Sequence, residues 1–514
     1  MSVVLRSGLG RVTIMLGGQA GIFGMVFAVY MVLLIAIGYF SAKRVQTMED
    51  YYVAGRNVGP ILLGIHYGTV YFSSVLMVGG GAYAYRFGLS TMWIAVGNTI
   101  LGAFLPFLLF GGRIRGFSGV LGALTLPDFF RERYQSRFLH VWSALLTVVF
   151  MTVYLVSVFM GVSYIFNVTM GLDYTTSLII TTVVVGFYLA FGGTIACVWN
   201  DFIQGTAMAL GTLFLTVMVI SFGGGLGNII SGLASVDPGL VSFPGVWGFW
   251  GLFSYVMVTS IGPWGLPQSL TRFYMMKDPK VVKWGIVFAT IFCLTMTCCS
   301  YFNGAAARYA FEANGIEIPL TPGGNPDYDI VIPKLIMLVL PTVIGAVYLS
   351  AVIAASQSTA DAVILMASFG VARDIYQKLI NPDVDDGRIL RLSKIATAVV
   401  TFAGLFLAYF KPKAILDLAM IAWACLSAAI MAPFLYGIFW KKATSTAAAF
   451  VSVSAFLLAV IWGPWLLNRP LGMHEFLVSQ LYAWAAFPIV NYIALSRCSG
   501  VVDEDLVERL WGSL

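Results

Sequence analysis

Runs of about twenty apolar residues recur along almost the whole chain, and they dictate the solvent in which it can fold. A helix crossing the hydrocarbon core of a bilayer needs roughly 20 mostly apolar residues. Thirteen segments approach or exceed that length, near 21–41, 60–85, 90–112, 139–167, 174–195, 199–223, 246–268, 283–307, 334–368, 391–411, 414–437, 443–468 and 475–496. Barrel strands alternate in much shorter segments, which excludes a transmembrane β-barrel. Of the 514 residues, 59% are apolar and only 10% are charged, against about 25% in a soluble domain. That composition excludes a soluble enzyme, a disordered chain and a nucleic-acid binder. The fold class is an all-α polytopic membrane protein with the lipid bilayer as its first partner. No obligatory protein partner is evident.

Lys and Arg collect in cytoplasmic loops. With thirteen spans, 21 of the 29 basic residues fall on one side, including Arg131, Arg133, Arg272 and Lys277. That side is expected to be cytoplasmic, with the N-terminus outside and the C-terminus inside. The six cysteines lie in or beside apolar runs and read as small core residues rather than disulfides or ligands. His66, His140 and His474 stand in no zinc-binding spacing.

Two segments look interrupted. Residues 60–85 carry Gly64, Gly68 and the run Gly79-Gly80-Gly81, with hydroxyls between them. Residues 246–268 carry Gly262-Pro263 and Gly265-x-Pro267. Backbone freed by such residues is tolerated at membrane depth only where it lines a cavity. The two segments enter from opposite sides, and each opens a unit of five helices. That pattern predicts an inverted-repeat secondary transporter with its site where the breaks meet. The expected organisation is an extension and extra helix over 1–45, repeats over 46–225 and 226–442, and further helices with a short tail over 443–514.

Most spans are free of charge, so Asp201 and Asp361 stand out. An acidic residue at a helix centre costs about 2.5–3.5 kcal/mol on insertion scales, and usually marks a cation or proton site. Asp201, at the start of segment 199–223, also reads as a helix N-cap. Around Asp361 the stretch Ala355-Ser356-Gln357-Ser358-Thr359-Ala360 concentrates oxygen atoms. Ser358 and Asp361 are three apart, and Ala355 and Thr359 four apart, on neighbouring positions of one helical face. Such hard oxygen ligands suit a hard cation, provided Thr69 to Ser74 of the first broken segment faces them.

At these residues the sequence resembles the sodium/solute symporters, most closely the sodium/pantothenate branch. The resemblance rests on GGTIACVWNDFIQG (192–205), AGRNVGP (54–60), RYQSR (133–137), GLPQSLTRFYMMKD (265–278), VIPKLIMLVLP (331–341) and SAVIAASQSTADA (350–362). It implies a LeuT-like five-plus-five core with broken first and sixth core helices. It also implies a shared Na⁺ site on the carbonyls of Thr69, Phe72 and Ala355 and the hydroxyls of Ser358 and Thr359. Some members have a second cation site, and its positions here are Asp201, Ser358, Asp361 and Ala362. The pattern departs at Asp361, where a Ser or amide is usual. Two neighbouring carboxylates raise one pKa or require a cation, so Asp361 is compatible with a second Na⁺ or with a proton.

The substrate is expected between the breaks, at Tyr71, Ser73, Ser74, Trp264 and Gln268, with Trp264 as an aromatic gate. No intramembrane Arg or Lys offers itself as a fixed counter-ion. Half-helix N–H groups would then receive a small carboxylate such as pantothenate. The expectation is a sodium-coupled symporter of the cell membrane that imports a small organic solute by alternating access. A proton-coupled symporter and a non-transporting sensor remain open. An intramembrane aspartyl enzyme lacks supporting motifs, because GxSxG, HExxH and Walker A are all missing from the sequence.

Overall fold

The structure, a computed structural model, describes residues 2–73, 75–320, 324–410 and 415–513; the side chains of 2–20, 42, 168–170, 184–188, 190–193, 354–355 and 386 also lie outside the description. The described chain is helical almost throughout. Its only strand-like pairings are the isolated bridges Val58 to Met276 and Leu320 to Pro326. Among the described residues, 10 helices are long and apolar enough to cross a membrane. The second half of the first interrupted segment joins the next expected one in a single span, Val75–Val120. Segment 174–195, part of whose side chains lie outside the described residues, continues into the next segment as one helix, Tyr174–Phe222.

Ile415–Phe439 is the centre of the molecule. Its most apolar window is 100% buried, whereas that of Gly21–Ser41 is only 22% buried and faces outward. Arg137–Met170, the turn Gly262–Gly265, Ser445–Trp462 and Glu475–Ser496 all pack against it. Outward-facing side chains such as Val29, Val32, Leu210 and Phe402 are exposed, as the lipid-facing side of a membrane helix must be. Cys197, Cys293, Cys299 and Cys425 are buried thiols, while Cys498 is exposed.

One basic residue of the loops counted as cytoplasmic is not at the surface. Arg133 is fully buried. It donates from Nε to the Gly437 carbonyl at 2.7 Å and from Nη2 to the Trp440 carbonyl at 3.0 Å. The last carbonyls of a helix have no intrahelical donor, and a cation there also meets the negative end of the helix dipole. Arg133 therefore caps the central helix.

Candidate functional site

Both interruptions are real. The first helix, Pro60–Tyr71, ends where Phe72 turns extended (φ −119, ψ 110), and its last bond runs from Phe72 N to Gly68 O. The chain resumes as a π-helical turn, Val75–Gly80, and then as Gly81–Phe87. The break thus falls at Phe72-Ser73, not at the glycine run. Those glycines serve close packing instead. A Cβ on Gly81 would meet Ile332 at 2.3 Å, and one on Gly68 would meet Phe292 at 2.3 Å. The second helix, Gly248–Ser260, passes through Gly262–Gly265 and an extended Leu266 into Pro267–Tyr274. Ser427 of the central helix clamps this break by donating to the Gly262 carbonyl at 2.5 Å.

Thr342–Phe369 crosses the first break and packs on Pro60–Tyr71, Tyr174–Phe222 and Pro267–Tyr274. Thr359 Oγ1 lies 3.5 Å from the Thr69 carbonyl and 3.4 Å from the Val70 carbonyl. Ser358 Oγ is buried with no hydrogen-bond partner among the described residues. Phe72, being extended, takes its carbonyl out of the helical ladder. Ala355 precedes Thr359 by four residues on the same helix, and its side chain lies outside the described residues. Neutral carbonyl and hydroxyl oxygens such as these are the donor chemistry that fits a hard monovalent cation.

A second group of polar atoms adjoins this one. Asp201 is fully buried inside Tyr174–Phe222, so it is no N-cap. Its Oδ2 hydrogen-bonds to His66 Nδ1, and the backbone carbonyl of Asp201 lies 3.4 Å from Thr69 Oγ1. Asp361 is fully buried, and Cys197 Sγ lies 3.8 Å from its Oδ2. Arg272, only 2% exposed, stands in the second half of the second broken helix. Its Nη1 lies 3.7 Å from Met275 Sδ. Arg272 is thus a buried base, where the expectation was that no intramembrane Arg or Lys offers a fixed counter-ion for an anionic substrate. Counting bases by loop assigns every Arg to the surface. The available signal was helical spacing, since Arg272 follows buried Gln268 by four residues.

A cavity of about 20 Å³ lies where the breaks meet, lined by Tyr71, Phe72, Val75, Leu76, Asn98, Thr259, Tyr301, Leu416 and Trp423. One water needs about 10–15 Å³ on this measure, so the space as it stands is too small for an organic solute. Tyr71 bridges the breaks, donating to the Thr259 carbonyl at 2.5 Å and lying 3.3 Å from Asn98 Oδ1. Ser260 donates to the same Asn98 oxygen at 2.9 Å. Trp423 Nε1 is buried without a partner among the described residues.

Of the residues expected to hold substrate, Tyr71 lines this cavity. Ser73 sits at the break, with its hydroxyl accepting from Val75 N at 3.2 Å. Ser74 lies outside the described residues. Trp264 is turned away, donating to the Leu101 carbonyl at 2.8 Å and packing edge-on to Phe110. Gln268 is buried, and its Oε1 lacks a partner among the described residues. Sequence reasoning missed Asn98, Thr259, Tyr301 and Trp423. Asn98 carried a signal, as a side-chain amide inside an apolar run.

Comparison with known proteins adds three findings. The model of the Sodium:solute symporter family matches residues 51–454. The high-affinity proline transporter of Bacillus subtilis (strain 168) is 28% identical over 459 residues, 88% of this chain and 93% of that protein. The sodium/proline symporter of Staphylococcus aureus (strain JH9) is 28% identical over 493 residues, 90% of this chain and 91% of that protein. Among solved structures, a Na⁺-coupled sialic acid symporter in a substrate-bound outward-open state superposes with a TM-score of 0.76 at 18% identity, covering 94% of this chain and 99% of that one. A nucleobase-cation-symport-1 family transporter in a closed conformation superposes at 0.55 with 15% identity, covering 90% and 98%.

Proposed function

The chain belongs to the sodium:solute symporter family and is a membrane transporter that couples a solute to Na⁺, not an enzyme, and from that premise we propose that it imports a small organic carboxylate by alternating access. The observation that carries this reading is the meeting of the two breaks at a small cavity with no charged side chain in its lining. Trp423, packed edge-on to Tyr154, has a buried Nε1–H with no well-formed hydrogen bond among the described residues, and a carboxylate oxygen would supply an acceptor. Burying that donor unpaired costs about 1–3 kcal/mol. The names of the relatives favour a solute of proline's size over pantothenate, the larger candidate suggested by the sequence.

The proposed Na⁺ site comprises the carbonyls of Thr69, Phe72 and Ala355 with the hydroxyls of Ser358 and Thr359. Asp201 and Asp361 supply negative charge beside it. Na⁺ bound there would hold the first break against Thr342–Phe369 and raise affinity for the solute next to Phe72, a coupling that must be reciprocal. We place the N-terminus outside and the C-terminus in the cytoplasm, on the asymmetry of basic residues, with repeats over 46–225 and 226–442 in the cell membrane.

Uptake of radiolabelled proline and of pantothenate into proteoliposomes tests this, with an inward Na⁺ gradient or with choline in its place. Uptake of one of them that requires Na⁺ is the expected result. Equal uptake in choline would overturn sodium coupling. Failure of a wider panel of small carboxylates would overturn the substrate class. The buried pair of His66 and Asp201 supports a second reading, proton coupling, in which uptake follows a pH gradient without Na⁺.

A further inference from the structure

Beside the second broken helix lies a larger cavity that the proposed site does not use, with a volume of about 180 Å³. Trp93 of the short helix Met92–Gly97 and Phe243 of the loop before Gly248 line one side. Phe249, Phe253, Val256 and Met257 of Gly248–Ser260 line the other. The two helices meet closely at Gly97, where a Cβ would lie 2.5 Å from Ser260 Oγ and 2.7 Å from Val256 Cγ1. Away from that contact, toward Trp93 and Phe249, the space between them is the cavity. Phe243 packs edge-on to Trp93, with ring centroids 5.7 Å apart.

Position and chemistry identify what can fill this space. Phe249 to Met257 covers about 12 Å of helix at 1.5 Å per residue, most of the roughly 15 Å of hydrocarbon in one leaflet. Trp93, Phe249 and the neighbouring Trp250 are exposed, and exposed tryptophans in a membrane protein belong to the boundary of hydrocarbon and headgroups. The crevice is thus continuous with the lipid-facing surface. Its lining offers no charged group, hydroxyl or amide, whereas a buried water needs about 2–4 polar partners. An empty gap would forfeit dispersion contacts along its walls. A second copy of the chain is disfavoured as the occupant. Helices associate within lipid through small residues that let backbones approach, and this rim presents the bulky rings of Trp93, Phe249 and Trp250.

We propose that the crevice seats one acyl chain of a bilayer phospholipid, recognised by its hydrocarbon and not by its headgroup. The chain lies against the half-helix that carries Thr259 and Ser260, whose carbonyl and hydroxyl bond Tyr71 and Asn98 of the candidate site.

The test uses the purified full-length protein in nanodiscs of phosphatidylcholine, a fraction of it bearing a diazirine midway along one acyl chain. Adducts formed on irradiation are mapped by peptide mass spectrometry. Gly387–Tyr409, with Ile395, Val399, Phe402 and Phe406 exposed, is the reference for ordinary contact with lipid. Adducts per exposed residue should be several-fold denser on Trp93 and 249–257 than on that helix. Met257→Trp, which fills the crevice, should lower them to the reference density and leave the reference helix unchanged. Phosphatidylglycerol carrying the same acyl diazirine should label equally. Labelling in wild type no denser than on the reference helix would overturn the proposal, and this comparison stands even if the variant fails to fold. Labelling unchanged in Met257→Trp, or dependent on the headgroup, would overturn it too. Cross-links between two copies through Trp93 and Phe249, in place of lipid adducts, would assign the crevice to a dimer instead.

Discussion

Two groups of buried carboxylates in this molecule look alike in composition and differ in how they are satisfied. One joins Asp128, His140 and Asp374 with Arg373 and Thr125. The other joins Asp201, Asp361, His66 and Arg272. In the first, Asp128 Oδ2 accepts from Arg373 Nε at 3.0 Å and from Leu124 N at 3.2 Å. Asp374 Oδ1 accepts from Thr125 Oγ1 at 2.8 Å, with His140 Nε2 3.5 Å away. No carboxylate oxygen of that group is buried without a partner among the described residues, although His140 Nδ1 is. Its ligand atoms lie within 4.8 Å of one another, yet Arg373 already supplies the cation. The second group leaves Asp201 Oδ1, His66 Nε2, Arg272 Nε and the neighbouring Ser358 Oγ without partners. Satisfied polar networks fix structure, whereas orphaned buried atoms mark a place where something binds. The first reads as a latch between the helix Leu126–Tyr134 and the segment Gly370–Ile380, and the second adjoins the proposed cation site.

If that contrast is right, breaking the latch should cost stability and leave ion binding alone. Arg373→Ala would leave Asp128 buried without its cation, a change worth about 3–5 kcal/mol. The expected result is a clear fall in the thermal midpoint of the purified protein. The Na⁺ concentration giving half-maximal uptake should stay within about twofold of wild type. A shift in Na⁺ affinity larger than the loss of stability would show that the two groups are one network.

Asp329 is an intermediate case outside the spans, buried with one weak partner, the amide of Ile415 at 3.5 Å. Burial pushes its carboxyl up to about 7; the charges of Asp327 and Asp417 add to this, and the Ile415 amide and Arg86 oppose it. The folded protein thus holds this proton more tightly than the unfolded chain, whose value is near the ordinary 3.8. The stabilisation is fully present below that value and is lost as pH rises through about 7. The shift corresponds to a difference on the order of 4 kcal/mol. The thermal midpoint should fall between pH about 5 and about 8, and Asp329→Asn should flatten that slope. An unchanged slope in the variant would assign the dependence to another group.

The same contrast explains what was legible in the sequence. Composition and run length gave the membrane class, and Gly262-Pro263 and Pro267 marked the second break where it occurs. The first break was legible only to within a segment, because glycine signals two things. At 79–81 it permits close approach to Leu416, Tyr301 and Ile332, not a free backbone. The oxygen-rich face of Ser358 and Thr359 was readable from helical spacing alone. Arg272 was not, because charge counting assumes that bases lie at the surface, and burial depends on partners distant in sequence. The direction of Trp264 was likewise set by Leu101, a contact no local pattern encodes.

At the proposed sodium site, Thr359→Ala removes one hydroxyl and leaves the Thr69 carbonyl in place. A tenfold rise in the Na⁺ concentration for half-maximal uptake, equal to about 1.4 kcal/mol, is the expected effect, with the thermal midpoint nearly unchanged. The reverse pattern, lost stability with unchanged Na⁺ dependence, would make Thr359 a packing residue of the kind seen in the latch.

The smallest effect gives the sharpest form of the comparison, because it uses one residue type in both settings. Trp264 Nε1 is satisfied by the Leu101 carbonyl, and Trp423 Nε1 is orphaned in the cavity lining. Replacing either by Phe removes one N–H and keeps an aromatic ring. At Trp264 the change strands a carbonyl, so it should cost about 0.5–1.5 kcal/mol of stability and leave solute affinity alone. At Trp423 no bond is lost in the solute-free protein, so stability should hold or rise slightly. The solute would lose its donor instead, and half-saturation should need several times more of it, about 1 kcal/mol. Measuring both variants in parallel separates the two roles, since each serves as the other's control for loss of ring packing. If both lose stability and neither shifts solute affinity, the orphaned indole of Trp423 is no part of the binding site, and the cavity must be read as packing.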